Sequence, residues 1–317
     1  MSDSAVEDAP AGKAAGAPRK PSGALLYAVL SFMALCWAVN FITGKIALRE
    51  FPALLLAGLR VSFAAVLMAP VYWWDVRRNG GHRWGWSDLP LLIFLGSVGV
   101  ALNQLFFVLG LSKTSVAHAA LIVGLGPILV LLSASALRME RLTPLKLAGM
   151  LISFAGVAVL QGMRSSATPA TLVGDVTVFL GSSMFAIFTV AGKRATASHG
   201  SIVVNSFAYI GGALFLSPLT IWQSAGFDFA RVSAAAWASL LFMSIFPSVV
   251  CYLIYYWALK HCSASRVSAF SYLQTPGAMA LAVLFMGEPL TWALVAGAAL
   301  VFAGVYTIQR VAAAQGA

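Results

Sequence analysis

The 317-residue chain is long enough for two soluble domains, but its composition excludes a soluble protein. Hydrophobic residues make up 60% of the chain and charged residues only 9%, against about 25% in soluble proteins. So few charges cannot cover a water-exposed surface. The composition therefore predicts an all-α polytopic membrane protein embedded in a lipid bilayer.

The net charge of +10 does not indicate a nucleic-acid partner. The basic residues fall singly or in twos and threes between apolar runs, without a basic face or interleaved aromatic residues. The cysteines Cys36, Cys251 and Cys262 have neither disulfide nor metal-ligand spacing. We therefore expect no metal, cofactor or nucleic acid, and the sequence leaves the oligomeric state open.

In chain order, residues 1–22 form a polar segment that we expect to be a disordered cytoplasmic tail. Ten apolar runs follow, each close to the roughly 20 residues that cross a bilayer. We predict ten transmembrane helices and a short cytoplasmic tail at 311–317. The predicted spans are 24–46, 52–74, 88–111, 115–137, 145–162, 172–193, 200–222, 235–259, 264–286 and 290–310.

The lysine and arginine residues indicate how the predicted spans are oriented. With the amino terminus inside, thirteen of them lie in cytoplasmic segments and five in outer segments. Cytoplasmic loops of membrane proteins carry an excess of these residues. We therefore expect both termini to be cytoplasmic.

The chain matches itself at an offset of 148 residues. Ten of 22 positions are identical between 140–161 and 288–309. Each copy contains five predicted spans, so the second copy enters the membrane from the opposite side. The sequence therefore predicts two inverted five-helix repeats, residues 23–163 and 170–310, an architecture that recurs in secondary transporters.

Several motifs carry a resemblance to a known family. They are Trp37-Ala-Val-Asn-Phe-Ile-Thr-Gly-Lys45, Arg60, Pro127 followed by Glu140, and Pro276 followed by Gly287-Glu288-Pro-Leu. The sequence resembles the EamA group of the drug/metabolite transporter superfamily over about residues 24–310. The resemblance implies a multi-pass carrier of the bacterial inner (plasma) membrane, commonly one that exports amino acids and related small metabolites.

Three basic residues inside the predicted spans are candidates for charge or gating functions, because ionisable groups in hydrocarbon are costly. Arg60 is either a fixed positive charge at a substrate vestibule or an arginine that snorkels to the surface. His118 and Arg266 are repeat equivalents near helix starts, so they are either polar gates at the two mouths or interfacial residues. His118 is also a candidate for proton coupling.

A substrate pocket is predicted in the third and eighth spans, where Asn103 and Gln104 match Cys251 and Tyr252 of the second repeat. Amides beside aromatic rings suit a pocket that binds a small organic molecule. Hydrogen bonds and packing between helices are the alternative. The cavity candidates are Asn40, Asn103, Gln104, Tyr252, Tyr255, Tyr272 and Gln274.

Matched prolines and carboxylates complete the predicted pattern. Pro127 and Pro276 lie near the middles of spans four and nine, where we expect them to kink their helices beside a central cavity. We expect Glu140 and Glu288 to be structural, accepting hydrogen bonds from the backbone N–H groups that start spans five and ten.

The predicted function is a secondary transporter, not an enzyme, that moves small polar metabolites by alternating access. A proton-coupled exporter of drugs or organic cations is the alternative within transport, but no Asp or Glu lies mid-span to serve it. A substrate with a carboxylate fits the arginines and the histidine better. A membrane-embedded enzyme or a channel is the alternative of another class.

Overall fold

The structure is a computed structural model, and it describes residues 22–79, 85–114, 116–162, 171–277 and 292–315. Long helices dominate these residues, because in lipid every backbone polar group must be satisfied within its own segment. The helices are α1 (Gly23–Ala47), α2 (Ala53–Asn79), α3 (Trp86–Lys113), α4 (Val116–Val123 and Gly126–Ala136), α5 (Pro144–Gly162), α6 (Leu172–His199), α7 (Ser201–Ser224), α8 (Ala234–His261), α9 (Ala264–Ala269, continued as the 3₁₀ turn Phe270–Leu273) and α10 (Trp292–Gln315).

Seven helices in the described part of the chain are long and apolar enough to cross a membrane: α1, α2, α3, α4, α6, α7 and α8. The helices α5 and α10 contain shorter apolar stretches, Pro144–Val159 and Val295–Val311. The structure describes α9 only as far as residue 277. The chain is therefore a helical multi-pass membrane protein, and the count of ten spans stays a prediction.

The structure describes only a few residues of the two predicted tails. Of residues 1–22, only Ser22 is described, and its hydroxyl accepts a hydrogen bond from Leu25 N at 3.3 Å to cap α1. At the other end, α10 continues to Gln315, so residues 311–315 of the predicted tail are helical. Side-chain caps also begin other helices, from Thr171, Ser233 and Ser263.

Helices α3 and α8 are irregular at equivalent positions. Each contains a π-helical segment, Leu95–Leu102 in α3 and Ser244–Val250 in α8. A π segment adds a residue to the turn and rotates the rest of the helix, and such segments are frequent at functional sites. The residues directly after the two segments are the matched pairs Asn103-Gln104 and Cys251-Tyr252.

Helices α5 and α10 pack closely through glycines and run antiparallel to each other. A Cβ on Gly156 would lie 2.7 Å from Gly297 O, and a Cβ on Gly149 would lie 3.0 Å from Gly304 O. Gly149 and Gly156 occupy the same repeat positions as Gly297 and Gly304. Gly149 thus faces Gly304, and the repeat equivalents of these two residues, Gly297 and Gly156, face each other as well. A two-fold axis that relates the two helices produces this reciprocal arrangement.

A second pair of contacts follows the same offset. Lys45 Nζ donates to Thr114 O at 2.8 Å, and Lys193 Nζ donates to Cys262 O at 2.9 Å. Both lysines lie in the carboxyl-terminal parts of long helices, α1 and α6, at matched positions. Each binds the carbonyl of the residue that follows the end of another matched helix. These contacts are consistent with the two-repeat layout.

Helix α4 is interrupted where the sequence predicted a kink. The helix breaks at Gly124–Leu125, and Pro127 is the second residue of the next helical piece. Pro276 lies just after the 3₁₀ turn Phe270–Leu273 of α9. The irregular backbone thus lies on the amino-terminal side of both prolines, where a proline ring disturbs the preceding turn.

Candidate functional site

A cavity of about 90 Å³ lies between helices of the two repeats. Both repeats contribute to its wall, since its lining comes from α1 to α4 and from α6, α8 and α9. Most of the wall is aromatic or apolar, with a few amides, hydroxyls and one guanidinium. The lining residues are Trp37, Asn40, Phe41, Arg60, Asn103, Gln104, Phe107, Val123, Gly126, Pro127, Gly181, Ser182, Phe185, Tyr252, Ser268, Ser271 and Gln274.

Arg60 supplies the positive charge of the cavity. Its side chain is only 2% exposed, so it does not snorkel to the surface. Arg60 Nε donates to Ser248 Oγ at 3.0 Å, and Ser248 in turn donates to Met243 O at 2.9 Å within the π segment of α8. Arg60 Nη1 is buried and has no hydrogen-bond partner among the described residues. One edge of the guanidinium is therefore fixed and the other is available to a ligand.

The matched residues of α3 and α8 form a hydrogen-bonded group on one side of the cavity. Asn103 Nδ2 donates to Gly181 O at 2.9 Å, and the Tyr252 hydroxyl donates to Asn103 Oδ1 at 3.2 Å. Gln104 Nε2 donates to Tyr252 Oη at 3.4 Å. All of these side chains are buried. The group links α3, α6 and α8 and orients the two amides.

Aromatic rings pack around Trp37 and form one wall of the cavity. Its ring packs against Phe185 at 5.9 Å and Tyr252 at 6.3 Å between ring centroids, both edge to face. Trp37 Nε1 donates to Pro247 O at 3.2 Å, a carbonyl in the π segment of α8. This contact between the repeats fixes the indole, so the wall is preformed.

The structure separates the predicted cavity candidates into two groups. Asn40 and Gln274 line the cavity, as Asn103, Gln104 and Tyr252 do, and Asn40 Oδ1 is buried without a described partner. Tyr255 and Tyr272 lie outside the lining, which corrects our expectation. The Tyr255 hydroxyl lies 3.1 Å from Thr189 Oγ1 of α6. Tyr272 packs with α5 and α10.

His118 and Arg266 lie away from the cavity, and their contacts are equivalent. His118 Nδ1 is 3.0 Å from Asp175 Oδ2, and its side chain is 52% exposed. Arg266 Nη2 donates to Tyr27 Oη at 3.0 Å. Asp175 and Tyr27 are themselves 148 positions apart. His118 thus joins α4 to α6, and Arg266 joins α9 to α1.

Glu140 stabilises a different helix from the one that we predicted. Its carboxylate accepts from Ser265 N at 3.1 Å and from the Ser265 hydroxyl, at the start of α9. Lys146 Nζ of α5 is 3.5 Å away, and both side chains are almost fully buried. Because α9 packs beside the end of α4, its N–H groups lie nearer than those of α5. Glu288 lies outside the described residues.

Sequence reasoning missed lining residues such as Ser182 and Phe185, and it also missed Ser248, which lies outside the lining and binds Arg60. Ser182, Phe185 and Ser248 gave no signal, because isolated serines and phenylalanines are common in apolar helices. Ser248 could have been found from its place one turn before Tyr252, had the π segment been anticipated. Only the packing of α2 against α8 brings it to Arg60.

Comparison with known proteins identifies the class of this chain. The EamA-like transporter family matches it twice, over residues 23–161 and 172–310. The chain belongs to this family. It is similar to an uncharacterized transporter of Archaeoglobus fulgidus, at 30% identity over 89% of the chain and 98% of that protein.

Two further relatives bear on fold and function. The chain is 28% identical to a protein of Streptantibioticus cattleyicolor that is named a probable terminal-alkyne amino-acid exporter, over 86% of the chain and 90% of that protein. A crystal structure with a TM-score of 0.73 and 20% sequence identity covers 93% of this chain and 100% of its own. The structural likeness supports the fold of this EamA-like chain.

Proposed function

We propose that this EamA-like protein exports small polar metabolites, amino acids or related compounds, across the bacterial inner membrane. The observation that carries the proposal is the central cavity, where Arg60 and the amides of Asn103 and Gln104 face a firm aromatic wall. A guanidinium with a free edge suits a carboxylate, and the amides suit further polar groups. The named activity of the Streptantibioticus relative supports this substrate class and the direction of transport.

The proposed mechanism is alternating access. Two five-helix repeats of opposite orientation can exchange conformations, which gives inward-open and outward-open states of similar energy around one central site. The matched contacts of Lys45 and Lys193 and the antiparallel α5–α10 pair support this symmetry. In this proposal, residues 23–163 and 170–310 are the two exchanging units.

A proton-coupled exporter of organic cations is less compatible with the cavity. A bound cation needs a carboxylate or an unopposed aromatic cage, whereas this lining contains Arg60 and no described Asp or Glu. An enzyme would need reacting groups in the cavity, and the described lining contains no histidine, cysteine or carboxylate. A channel would not require the inverted symmetry.

Flux into proteoliposomes tests the proposal. Purified protein is reconstituted and assayed with a panel of amino acids and small metabolites, with and without a pH gradient. We expect saturable flux that Gln104→Ala and Tyr252→Ala reduce, while Tyr306→Ala, a lipid-facing tyrosine that is 58% exposed, leaves it unchanged. Saturable flux that is equal in all variants would contradict the cavity as the site. Flux without saturation would indicate a channel.

The proposed orientation places both termini in the cytoplasm. In a background that lacks Cys36, Cys251 and Cys262, single cysteines replace Arg78 and Arg231. An impermeant maleimide applied to intact cells should label position 231, which is exposed after α7, and should spare position 78 at the end of α2. The reverse pattern would invert the orientation.

A further inference from the structure

The cavity contains the positive charge of Arg60, and no carboxylate among the described residues lines the cavity to neutralise it. Arg60 is buried, its Nε binds the neutral Ser248 hydroxyl, and its Nη1 is unpartnered. The ionisable side chains that interact electrostatically with it are Tyr209, Tyr252 and Cys251, none of which is a carboxylic acid. A guanidinium at membrane depth is costly without a counter-charge.

The carboxylates of the described residues lie elsewhere. They stand near helix ends or between helices, and none lines the cavity. Four of them bind His118, His199, Lys146 or Arg231, and a fifth binds Ser233. The six are Glu50, Asp75, Asp88, Glu140, Asp175 and Asp228.

The neutral acceptors of the cavity do not replace a carboxylate. Asn40 Oδ1 and Ser182 Oγ are buried and unpartnered, so they can accept hydrogen bonds from a ligand. Asn103 Oδ1 already accepts the Tyr252 hydroxyl. Such oxygens can bind an ammonium group, but they do not cancel its charge. A bound zwitterion would therefore leave one net positive charge in a site of low dielectric, whereas a bound monoanion would leave none.

We infer that the cavity selects substrates by net charge and takes a monocarboxylate whose nitrogen, where it has one, is uncharged. Arg60 binds the carboxylate, Asn40 and Ser182 accept from neutral N–H or O–H groups, and the wall of Trp37 and Phe185 contacts an apolar body. N-acylated amino acids and hydroxy acids fit this description, and free amino acids fit it less well. The inference rests on the proposed function, whose substrate class it narrows.

Four leucine derivatives that differ in net charge but share the same side chain test the inference. Flux is measured at pH 7 for N-acetyl-L-leucine (anion), L-leucine (zwitterion), N-acetyl-L-leucinamide (neutral) and L-leucinamide (cation), beside the metabolite panel. Because the ammonium of the zwitterion would be buried without a counter-charge, we expect the anion to exceed the zwitterion by roughly tenfold or more in kcat/KM, with the cation lowest. Whichever panel compounds are transported, we expect them to be anions.

Variants of Arg60 test whether this residue causes the preference for anions. Arg60→Gln should lower the ratio of N-acetyl-L-leucine flux to N-acetyl-L-leucinamide flux by roughly tenfold or more. Arg60→Lys should keep part of the preference because it keeps the charge. Arg78→Gln is the matched control, since Arg78 stacks on Trp74 at the end of α2.

The outcomes separate this inference from the proposed function. Saturable flux of L-leucine equal to or above that of N-acetyl-L-leucine would overturn the charge selection and leave the transporter intact. Transport of only zwitterions or cations from the panel would overturn it in the same way. Failure of every compound to show saturable flux would contradict the proposed function, and the inference with it. The comparison on the unmodified protein does not depend on how the variants fold.

Discussion

Gln104 and Tyr252 hold the same position in the two repeats, 148 residues apart, and they bind each other, with Gln104 Nε2 donating to Tyr252 Oη at 3.4 Å. Ser153 and Val301 form a second such pair, in which Ser153 Oγ donates to Val301 O at 3.2 Å. Equivalent residues meet only beside the axis that relates the repeats. The cavity lies against this axis, so both halves of the protein shape it.

Removal of the Tyr252 hydroxyl tests how much the amides depend on it. In Tyr252→Phe, Asn103 Oδ1 and Gln104 Nε2 lose this buried partner, and an unsatisfied buried polar group costs about 1–3 kcal/mol. We expect a lower thermal unfolding temperature in detergent and slower flux. Tyr306→Phe, at a lipid-facing position, is the control. Equal unfolding temperatures in both variants would show that the hydroxyl does not hold the amides.

The glycine contact between α5 and α10 should tolerate no added carbon. A Cβ at Gly156 would lie 2.7 Å from Gly297 O and 2.8 Å from Val301 N, both backbone atoms that cannot move aside as a side chain can. Gly156→Ala should therefore force the helices apart and cost about 1–3 kcal/mol. Gly226→Ala is the control, because its Cβ would meet nothing within 4 Å. Equal thermal unfolding temperatures for the two variants would contradict the close approach of the helices.

The sequence predicted the parts of the fold that depend on apolar length and repetition. The predicted spans agree closely with the ends of α1 and α7, because each run must match the thickness of a bilayer, whereas α6 continues six residues beyond its predicted end. The 148-residue offset also relates contacts in the structure, among them those of Lys45 and Lys193, which the sequence did not predict. It did not anticipate that the equivalents Gln104 and Tyr252 would contact each other.

The site was harder to predict, because membrane helices apolar on all sides give little sign of which face is inward. Tyr252 and Tyr255 are three residues apart on α8, yet only Tyr252 lines the cavity. The π segment Ser244–Val250 rotates the following part of α8 as a whole, and composition does not reveal it. Likewise, the sequence was compatible with Arg60 as a snorkelling or an inward residue, and only the packing of α2 distinguishes the two.

The buried ion pair of Glu140 and Lys146 should contribute more to the stability of the folded protein than an exposed ion pair does. Glu140→Gln would leave the Lys146 ammonium, which is 3% exposed, without its counter-charge and would weaken the cap of α9. Breaking a buried pair in this way costs about 3–5 kcal/mol. Asp228→Asn is the matched control, since its pair with Arg231 is largely exposed and such pairs contribute about 0–1 kcal/mol. Similar unfolding temperatures for the two variants would contradict the assignment.

Glu50 links the connection between α1 and α2 to the start of α8, and this link should depend on pH. Its carboxylate accepts from Ser233 Oγ and Ser233 N, both at 2.6 Å, and these hydrogen bonds hold the pKa of Glu50 below its ordinary value of 4.5. A carboxylate with a lowered pKa in the folded state stabilises the protein above its unfolded pKa, and this stabilisation is lost as the pH falls through the folded value.

Glu50→Gln should therefore lower the thermal unfolding temperature at pH 7, and the difference from the unmodified protein should shrink as the pH falls below 4.5, the ordinary pKa of Glu. Ser233→Ala should give an intermediate result, because the backbone N–H still donates to Glu50 while the hydroxyl cap of α8 is lost. Unfolding followed by tryptophan fluorescence from pH 7 to pH 3 measures both. A difference for Glu50→Gln that stays constant across this range would show that its charge does not stabilise the link.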